Sequence, residues 1–124
     1  MEVHLQDIHK YFGPVKANDG ISLVVPAGTV QGILGENGAG KSTLMKILSG
    51  FQTADRGRIL LDGRPVRLRS PADAIRLGVG MLHQDPLDFP PMRVVDNLLI
   101  GSPGRIVPRR REAREAVTRL SRSL

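Results

Sequence analysis

The sequence contains no cysteine and no tryptophan. Disulfides, thiolate nucleophiles and cysteine-ligated metals are therefore excluded, which fits a reducing cytosol. Aromatic residues make up only 3% of the chain, one tyrosine and three phenylalanines. Stacking on single-stranded bases has little support from so few rings. No apolar run approaches the ~20 residues that span a bilayer. The opening Met1-Glu2-Val3-His4 lacks the basic and apolar regions of a signal peptide. Neither secretion nor membrane insertion is expected. What is present is 124 residues, 40% of them hydrophobic, about one domain's worth of an ordinary α/β protein.

Charge is unevenly placed. The net charge is +6, and from Gly101 onward seven arginines stand against Glu112 and Glu115, a balance of +5 that leaves +1 for the first hundred residues. A basic tail invites a nucleic-acid or anionic-membrane partner. Without interleaved aromatics it reads better as the solvated face of an arginine-rich helix, so no nucleic-acid partner is expected.

The most informative stretch is Gly35-Glu36-Asn37-Gly38-Ala39-Gly40-Lys41-Ser42-Thr43. It follows an apolar run, Val30 to Leu34, that predicts a buried strand. It precedes Leu44, Ile47 and Leu48 at the i, i+3, i+4 spacing of a helix's buried face. Gly35, Gly40, Lys41 and Ser42 match the phosphate-binding P-loop, G-x-x-x-x-G-K-[ST]. A phosphate chain needs several backbone N–H groups converging on it, and side chains would block the approach. Glycine also accepts the positive φ of such turns. The following helix adds unpaired N–H groups and the positive end of its dipole. Lys41 can carry a full charge to the β- and γ-phosphates, and the Ser42 hydroxyl can hold Mg²⁺. The alternative, a glycine-rich turn that binds nothing, does not account for the strand before it and the helix after it.

Elsewhere the pattern predicts a strand over 2–8, with Val3 and Leu5 in phase and Ile8 out of phase. A turn follows at Lys10 to Pro14, then a second strand over 21–25 that a short turn at Pro26-Ala27-Gly28 joins to the P-loop strand. Two strands joined this way suggest antiparallel pairing, which is not how a pure βαβ nucleotide fold begins. Past the P-loop helix, 58–61 and 65–68 form a hairpin about Asp62-Gly63. Ser70-Pro71-Ala72-Asp73 starts a helix that ends at Gly78. Val79 to Leu82 reads as another buried strand, 94–100 as a short helix, 101–108 as a linker. Arg109 to Leu120 reads as a last helix with Ala113, Ala116, Val117 and Leu120 on one stripe. His4 and His9 are expected to be solvent-facing strand positions, and Asp55, Asp62 and Asp73 to be turn or cap carboxylates.

At this point the sequence resembles the ATP-binding subunits, or nucleotide-binding domains, of ABC transporters. Gly35 to Thr43 is similar to that family's Walker A, and Gln84 to its Q-loop glutamine. The aromatic before Gly13 is similar to its A-loop. The stretches 67–74 and 78–84 are most similar to importers of simple sugars or nucleosides. The resemblance implies an α/β P-loop NTPase of the ABC type: an antiparallel β-subdomain plus the start of a RecA-like core, truncated before Walker B. Residues 1–100 would form the β-subdomain and part of the P-loop core, and 101–124 the start of a helical subdomain.

The same resemblance implies ATP and Mg²⁺ as cofactors. Gly35 to Thr43 would bind the phosphates, Ser42 and Gln84 the metal, and Gln84 would position the attacking water with Lys41 as the other catalytic group. Phe12, or alternatively Tyr11, would stack on adenine, and Ala17 would line the ribose. Implied partners are transmembrane permease subunits, facing Asp85 to Met92, and a second nucleotide-binding domain in a head-to-tail dimer. The implied location is cytoplasmic, peripheral on the inner face of the cell membrane.

The family's signature segment, its Walker B strand with Asp-Glu and its switch histidine do not occur in this sequence. Leu48-Ser49-Gly50 only begins like a signature, and His83 lies on the wrong side of Gln84 for a switch. Phosphoryl transfer depends on positioning water and neutralising charge. The chain is therefore expected to bind ATP without efficient turnover, and to be marginally stable with an apolar sheet edge exposed. Two other readings stand beside this one. Another P-loop NTPase, such as a GTPase, should show Asp-x-x-Gly and Asn-Lys-x-Asp, and neither is present. Of the non-transport ABC regulators, the paired-domain type needs a second Walker A.

Overall fold

The computed structural model describes residues 1–83, 89–101 and 110–123. They fall into two units, Met1–Leu82 and His83–Leu124. The first unit is built on two long strands, β1 (Val3–Phe12) and β2 (Val15–Val25), paired antiparallel about Gly13-Pro14. Gly13 takes φ 57°, the left-handed conformation that a two-residue hairpin needs. The strands run further toward this turn than the hydrophobic pattern predicts, because the cross-strand ladder continues to Phe12 and Val15.

The phase break at Ile8 has a structural cause. The pairing register shifts between Leu5 and Ile8, and Asp7 between them takes φ 51°. One extra residue flips the following side chain back to the core side. Leu5 and Ile8, three apart, are both fully buried. Asp7 N–H donates to Ser22 Oγ at 3.0 Å. On β3 (Arg56–Leu61), Gly57 makes room for the bulge: a Cβ there would lie 2.3 Å from the Asp7 carbonyl oxygen.

β3 pairs antiparallel with β1 and turns through Asp62-Gly63, φ 48° and 74°, into β4 (Arg64–Val66). The sheet order is β2-β1-β3-β4. On one face lies α1 (Lys41–Leu48), whose Leu44 and Ile47 join Leu5, Ile8, Ile59, Leu61 and Leu68 in the core. An eight-residue helix does not stand alone in water. Burying Leu44 and Ile47 contributes about 1.5–3 kcal/mol each, and this packing holds it. The short helix α2 (Pro71–Arg76) starts where the Ser70 side chain accepts from Asp73 N–H. Gly78 (φ 82°) ends it: its N–H bonds the Ile75 carbonyl and the Val79 N–H bonds the Ala74 carbonyl. That Schellman ending presses Val79 onto Ala74, both in the core.

Two expectations are corrected. Neither 29–34 nor 79–82 is a strand. Val30, Leu34 and Leu82 are almost completely exposed, while Val79 enters the core only as the cap residue of α2. An apolar run suits a strand buried on both faces, but the ladder needs N–H and C=O partners alongside. None of the four strands pairs with these runs. The apolar sheet edge expected beside the 79–82 strand is therefore not formed, because that strand is absent; Val30, Leu34 and Leu82 are exposed on irregular backbone instead.

In the second unit, α3 (Val94–Gly101) packs against α4 (Arg110–Ser123). Ala113 is buried, Ala116 and Val117 are half-buried and Leu120 is exposed, so the apolar stripe is in contact only toward its amino-terminal end. Arg110 bridges to Asp96 at 3.0 Å. No helix among the described residues is long and apolar enough to cross a membrane.

Candidate functional site

The glycine-rich loop ends at the amino terminus of α1, and that terminus is open. Gly40 is its N-cap in the left-handed conformation (φ 81°, ψ 3°), with no side-chain cap, and the first turn holds no acidic residue. The first helical bond runs from Leu44 N–H to the Gly40 carbonyl at 3.0 Å. The N–H groups of Lys41, Ser42 and Thr43 thus have no partner within the helix. α2 is the internal contrast, with Ser70 capping and Asp73 in its first turn.

Gly40 cannot be another residue. A Cβ there would lie 2.0 Å from the Ala17 carbonyl oxygen and 2.9 Å from Asn18 Nδ2. Gly38 also has positive φ, 88°, but a Cβ on it would meet nothing within 4 Å. Its surroundings are open. A Cβ on Gly35 would come 3.3 Å from Ala39 Cβ. Ala39 N–H donates to the Glu36 carbonyl at 3.2 Å, closing the turn. Gly35, Glu36, Asn37 and Ala39 are exposed. Lys41 Nζ folds back and donates to the carbonyls of Gly35 and Glu36, each at 2.7 Å. The ammonium therefore sits over the loop it follows in sequence. Ser42 is exposed at the first turn and Thr43 is half-buried.

The structure brings β2 to this loop. Between the pairs Lys10–Asn18 and Tyr11–Lys16 the register shifts by one, so Ala17 is the extra residue of a bulge. Its carbonyl packs on Gly40, and Asn18, next to it, donates from Nδ2 to the Gly40 carbonyl at 3.3 Å. Asn18 is buried, and sequence reasoning missed it. Residue 18 lies outside the strand expected over 21–25, so the local pattern carries no signal for it.

Phe12 and Tyr11 differ in what holds them. The Phe12 ring is 46% exposed, with Lys10 Nζ 5.6 Å from its centroid. The Tyr11 hydroxyl instead donates to Asp19 at 2.8 Å and lies 2.8 Å from His9 Nδ1. The Tyr11 hydroxyl and then the Lys16 ammonium hold the Asp19 carboxyl below its ordinary range, and the bond to Asp19 raises the Tyr11 phenol. His9 is not a solvent-facing position as expected. Its side chain is only 17% accessible, between Asp7 at 3.0 Å and Asp19 at 3.1 Å. The three turn aspartates do behave as structural groups. Asp62 accepts from Glu2 N–H at 2.7 Å, Asp73 from Arg69 N–H at 3.1 Å, and Asp55 from Lys10 at 2.9 Å.

Gln84, and 85–88 of the loop after it, lie outside the described residues. The end of that loop is pinned by Asn97, also missed from sequence: its Oδ1 accepts from Phe89 N–H at 2.8 Å and its Nδ2 donates to the Phe89 carbonyl at 3.2 Å. Leu48-Ser49-Gly50 caps the far end of α1, with Ser49 Oγ donating to the Met45 carbonyl at 2.8 Å, so it is not a signature segment.

Comparison with known proteins agrees with this geometry. The model of the ABC transporter family matches residues 18–124. The chain is 45% identical over 120 residues to a ribose import ATP-binding protein of Chromobacterium violaceum, covering 92% of this chain and 24% of that protein. It is 47% identical over 111 residues to a glucose import ATP-binding protein of Haloferax volcanii, covering 90% of this chain and 20% of the relative. Among solved structures, a nucleotide-free ATP-binding cassette from an ABC transporter superimposes with TM-score 0.75 at 41% identity, covering 85% of this chain and 43% of that one. The chain thus spans about a quarter or less of the length of these two relatives. By its open glycine-rich helix start, its antiparallel sheet and these matches, the chain belongs to the ABC transporter family.

Proposed function

We propose that this chain binds Mg·ATP in the loop 35–43 and contributes to the energising subunit of an importer for a sugar or nucleoside. The observation that carries it is the uncapped, acid-free amino terminus of α1, placed behind two positive-φ glycines and beside the Lys41 ammonium. Backbone N–H groups there can take phosphate oxygens, and the helix dipole favours the negative charge. Lys41 exchanges its two loop carbonyls for phosphate oxygens when the nucleotide enters. The sugar-import relatives support the transport role, and permease subunits are the partners it requires.

The geometry supports roles for Phe12, Ala17 and Ser42, and the role of Gln84 rests on the resemblance. Phe12 supplies the adenine platform, because its ring is exposed while the Tyr11 hydroxyl is engaged by Asp19. Ala17, whose carbonyl touches Gly40, is close enough in the fold to border the ribose. Mg²⁺ takes oxygen ligands, and the exposed Ser42 hydroxyl at the helix start fits one of them. Gln84 is assigned the other, together with water positioning. When bound, the metal neutralises phosphate charge. Nucleotide binding is what these residues support. Residues 101–124 are assigned to the start of a helical subdomain, and a second nucleotide-binding domain is assigned as dimer partner. The location proposed is the cytoplasmic face of the cell membrane, held there through the permease.

Isothermal titration of Mg·ATP into the wild-type chain and Lys41→Ala tests the site. Losing one charge-assisted contact should weaken binding about ten- to hundredfold. Equal affinities would refute the phosphate cradle.

A further inference from the structure

We infer that Asn18 is a positioning residue that aims the Lys41 N–H into the phosphate cradle, an inference that rests on the nucleotide-site reading above. The Gly40 carbonyl has two acceptor positions. One takes Leu44 N–H at 3.0 Å and the other takes Asn18 Nδ2 at 3.3 Å. The peptide unit between Gly40 and Lys41 is planar and trans, so its carbonyl and its N–H point in opposite directions. Holding the carbonyl toward β2 therefore turns the Lys41 N–H away from the sheet, toward the loop. Gly40 needs this help. With φ 81° and no Cβ it has a wide choice of conformations, and no side chain caps the helix in its place.

Asn18 is a poor residue for the fold itself. It is 4% exposed, and its Oδ1 is buried with no hydrogen-bond partner among the described residues. A buried carbonyl left unpaired destabilises, and an apolar side chain of similar volume removes that cost. Among the described residues, the one side-chain bond of Asn18 goes to the carbonyl that begins α1. The beneficiary is the loop, not the core. Stability and phosphate affinity should therefore move apart when Asn18 is replaced, which a purely structural residue would not allow.

The test measures melting temperature and the binding of Mg·ATP and of inorganic tripolyphosphate for wild type, Asn18→Leu, Asn18→Ser and Lys41→Ala. Leucine fills the volume and has no donor; serine leaves volume empty and carries its hydroxyl one bond closer to the backbone than Nδ2, out of step with the Gly40 carbonyl. Both variants should bind both ligands about three- to tenfold more weakly, the worth of one hydrogen bond. Asn18→Leu should melt at or above the wild-type temperature. Wild-type affinity in the two Asn18 variants, with Lys41→Ala impaired, overturns this inference and leaves the cradle standing. An unimpaired Lys41→Ala overturns the cradle instead. Weaker ATP with unchanged tripolyphosphate would move Asn18 to the nucleoside end. Failure of both Asn18 variants to fold would make it a structural residue. Either of these last results also overturns the inference.

Discussion

Gly38→Ala and Gly40→Ala are the same chemical change two residues apart, and the structure separates them. Both glycines have positive φ, 88° and 81°. Placing an L side chain in that region costs about 1–2 kcal/mol. At Gly38 that is the whole cost, because the new Cβ meets nothing within 4 Å. At Gly40 the Cβ would fall 2.0 Å from the Ala17 carbonyl oxygen. That oxygen is backbone of β2 and cannot rotate away, so either the strand or the start of α1 must shift. A shift there also breaks the Asn18 bond to the Gly40 carbonyl and loosens Leu44 in the core. The total should exceed about 4 kcal/mol, the range of severe single substitutions.

Denaturation followed by circular dichroism reads the difference. With about 4–8 °C lost per kcal/mol in a domain of this size, Gly38→Ala should melt about 4–16 °C below wild type. A domain has only about 5–15 kcal/mol in all, so Gly40→Ala should lose most of its cooperative transition. Equal melting temperatures for the two variants would refute this account of how the loop seats on β2.

Three further outcomes are expected. Phe12→Ala should weaken Mg·ATP by the worth of one base–aromatic stack, about 1–3 kcal/mol, and leave tripolyphosphate binding unchanged, whereas Tyr11→Leu, which removes the other ring, should change neither. Titration of the four pairs checks it, and the opposite pattern would make Tyr11 the platform. The Lys10 ammonium and then the Tyr11 N–H hold the Asp55 carboxyl below its ordinary range. A depressed folded-state value stabilises above the unfolded value of about 3.9 and is lost as pH falls through the folded one. Asp55→Asn should therefore melt below wild type at pH 7 and approach it near pH 3; a gap constant with pH would contradict this. Ser70→Ala removes the acceptor for Asp73 N–H at 3.2 Å and should cost about 1 kcal/mol, read as a lower melting temperature. An unchanged melt would show that the Asp73 side chain, bonded to Arg69 N–H, holds the turn alone.

Local chemistry makes much of this protein legible in its residues alone. Glycine at 35, 38 and 40 followed by Lys41-Ser42 reads as a candidate phosphate loop, because these residue types give open N–H groups, positive φ and a reachable ammonium together. Ser70-Pro71 and Gly78 bound a helix, and Asp62-Gly63 a hairpin, for reasons contained within a few residues of backbone. The short turn at Pro26-Ala27-Gly28 predicts antiparallel pairing of 21–25 with 29–34; the pair that forms is instead β1 with β2, about Gly13-Pro14. The runs 29–34 and 79–82 failed as strands because an apolar run records what a segment can bury, and pairing depends on what lies beside it.

Tertiary structure alone decided three things. It explained why Ile8 is out of phase, since the Asp7 bulge is accommodated by Gly57 on a strand about fifty residues later. It gave Tyr11 and Phe12 different surroundings, since only the folded hairpin brings Asp19 to the Tyr11 hydroxyl. It also set Ala17 and Asn18 against Gly40, a contact with no local signature, because it joins a strand and a loop through backbone oxygen and one carboxamide. The sequence by itself determined which groups could hold a phosphate; the long-range packing decided which way those groups point, because direction is fixed by neighbours that the chain reaches only when folded.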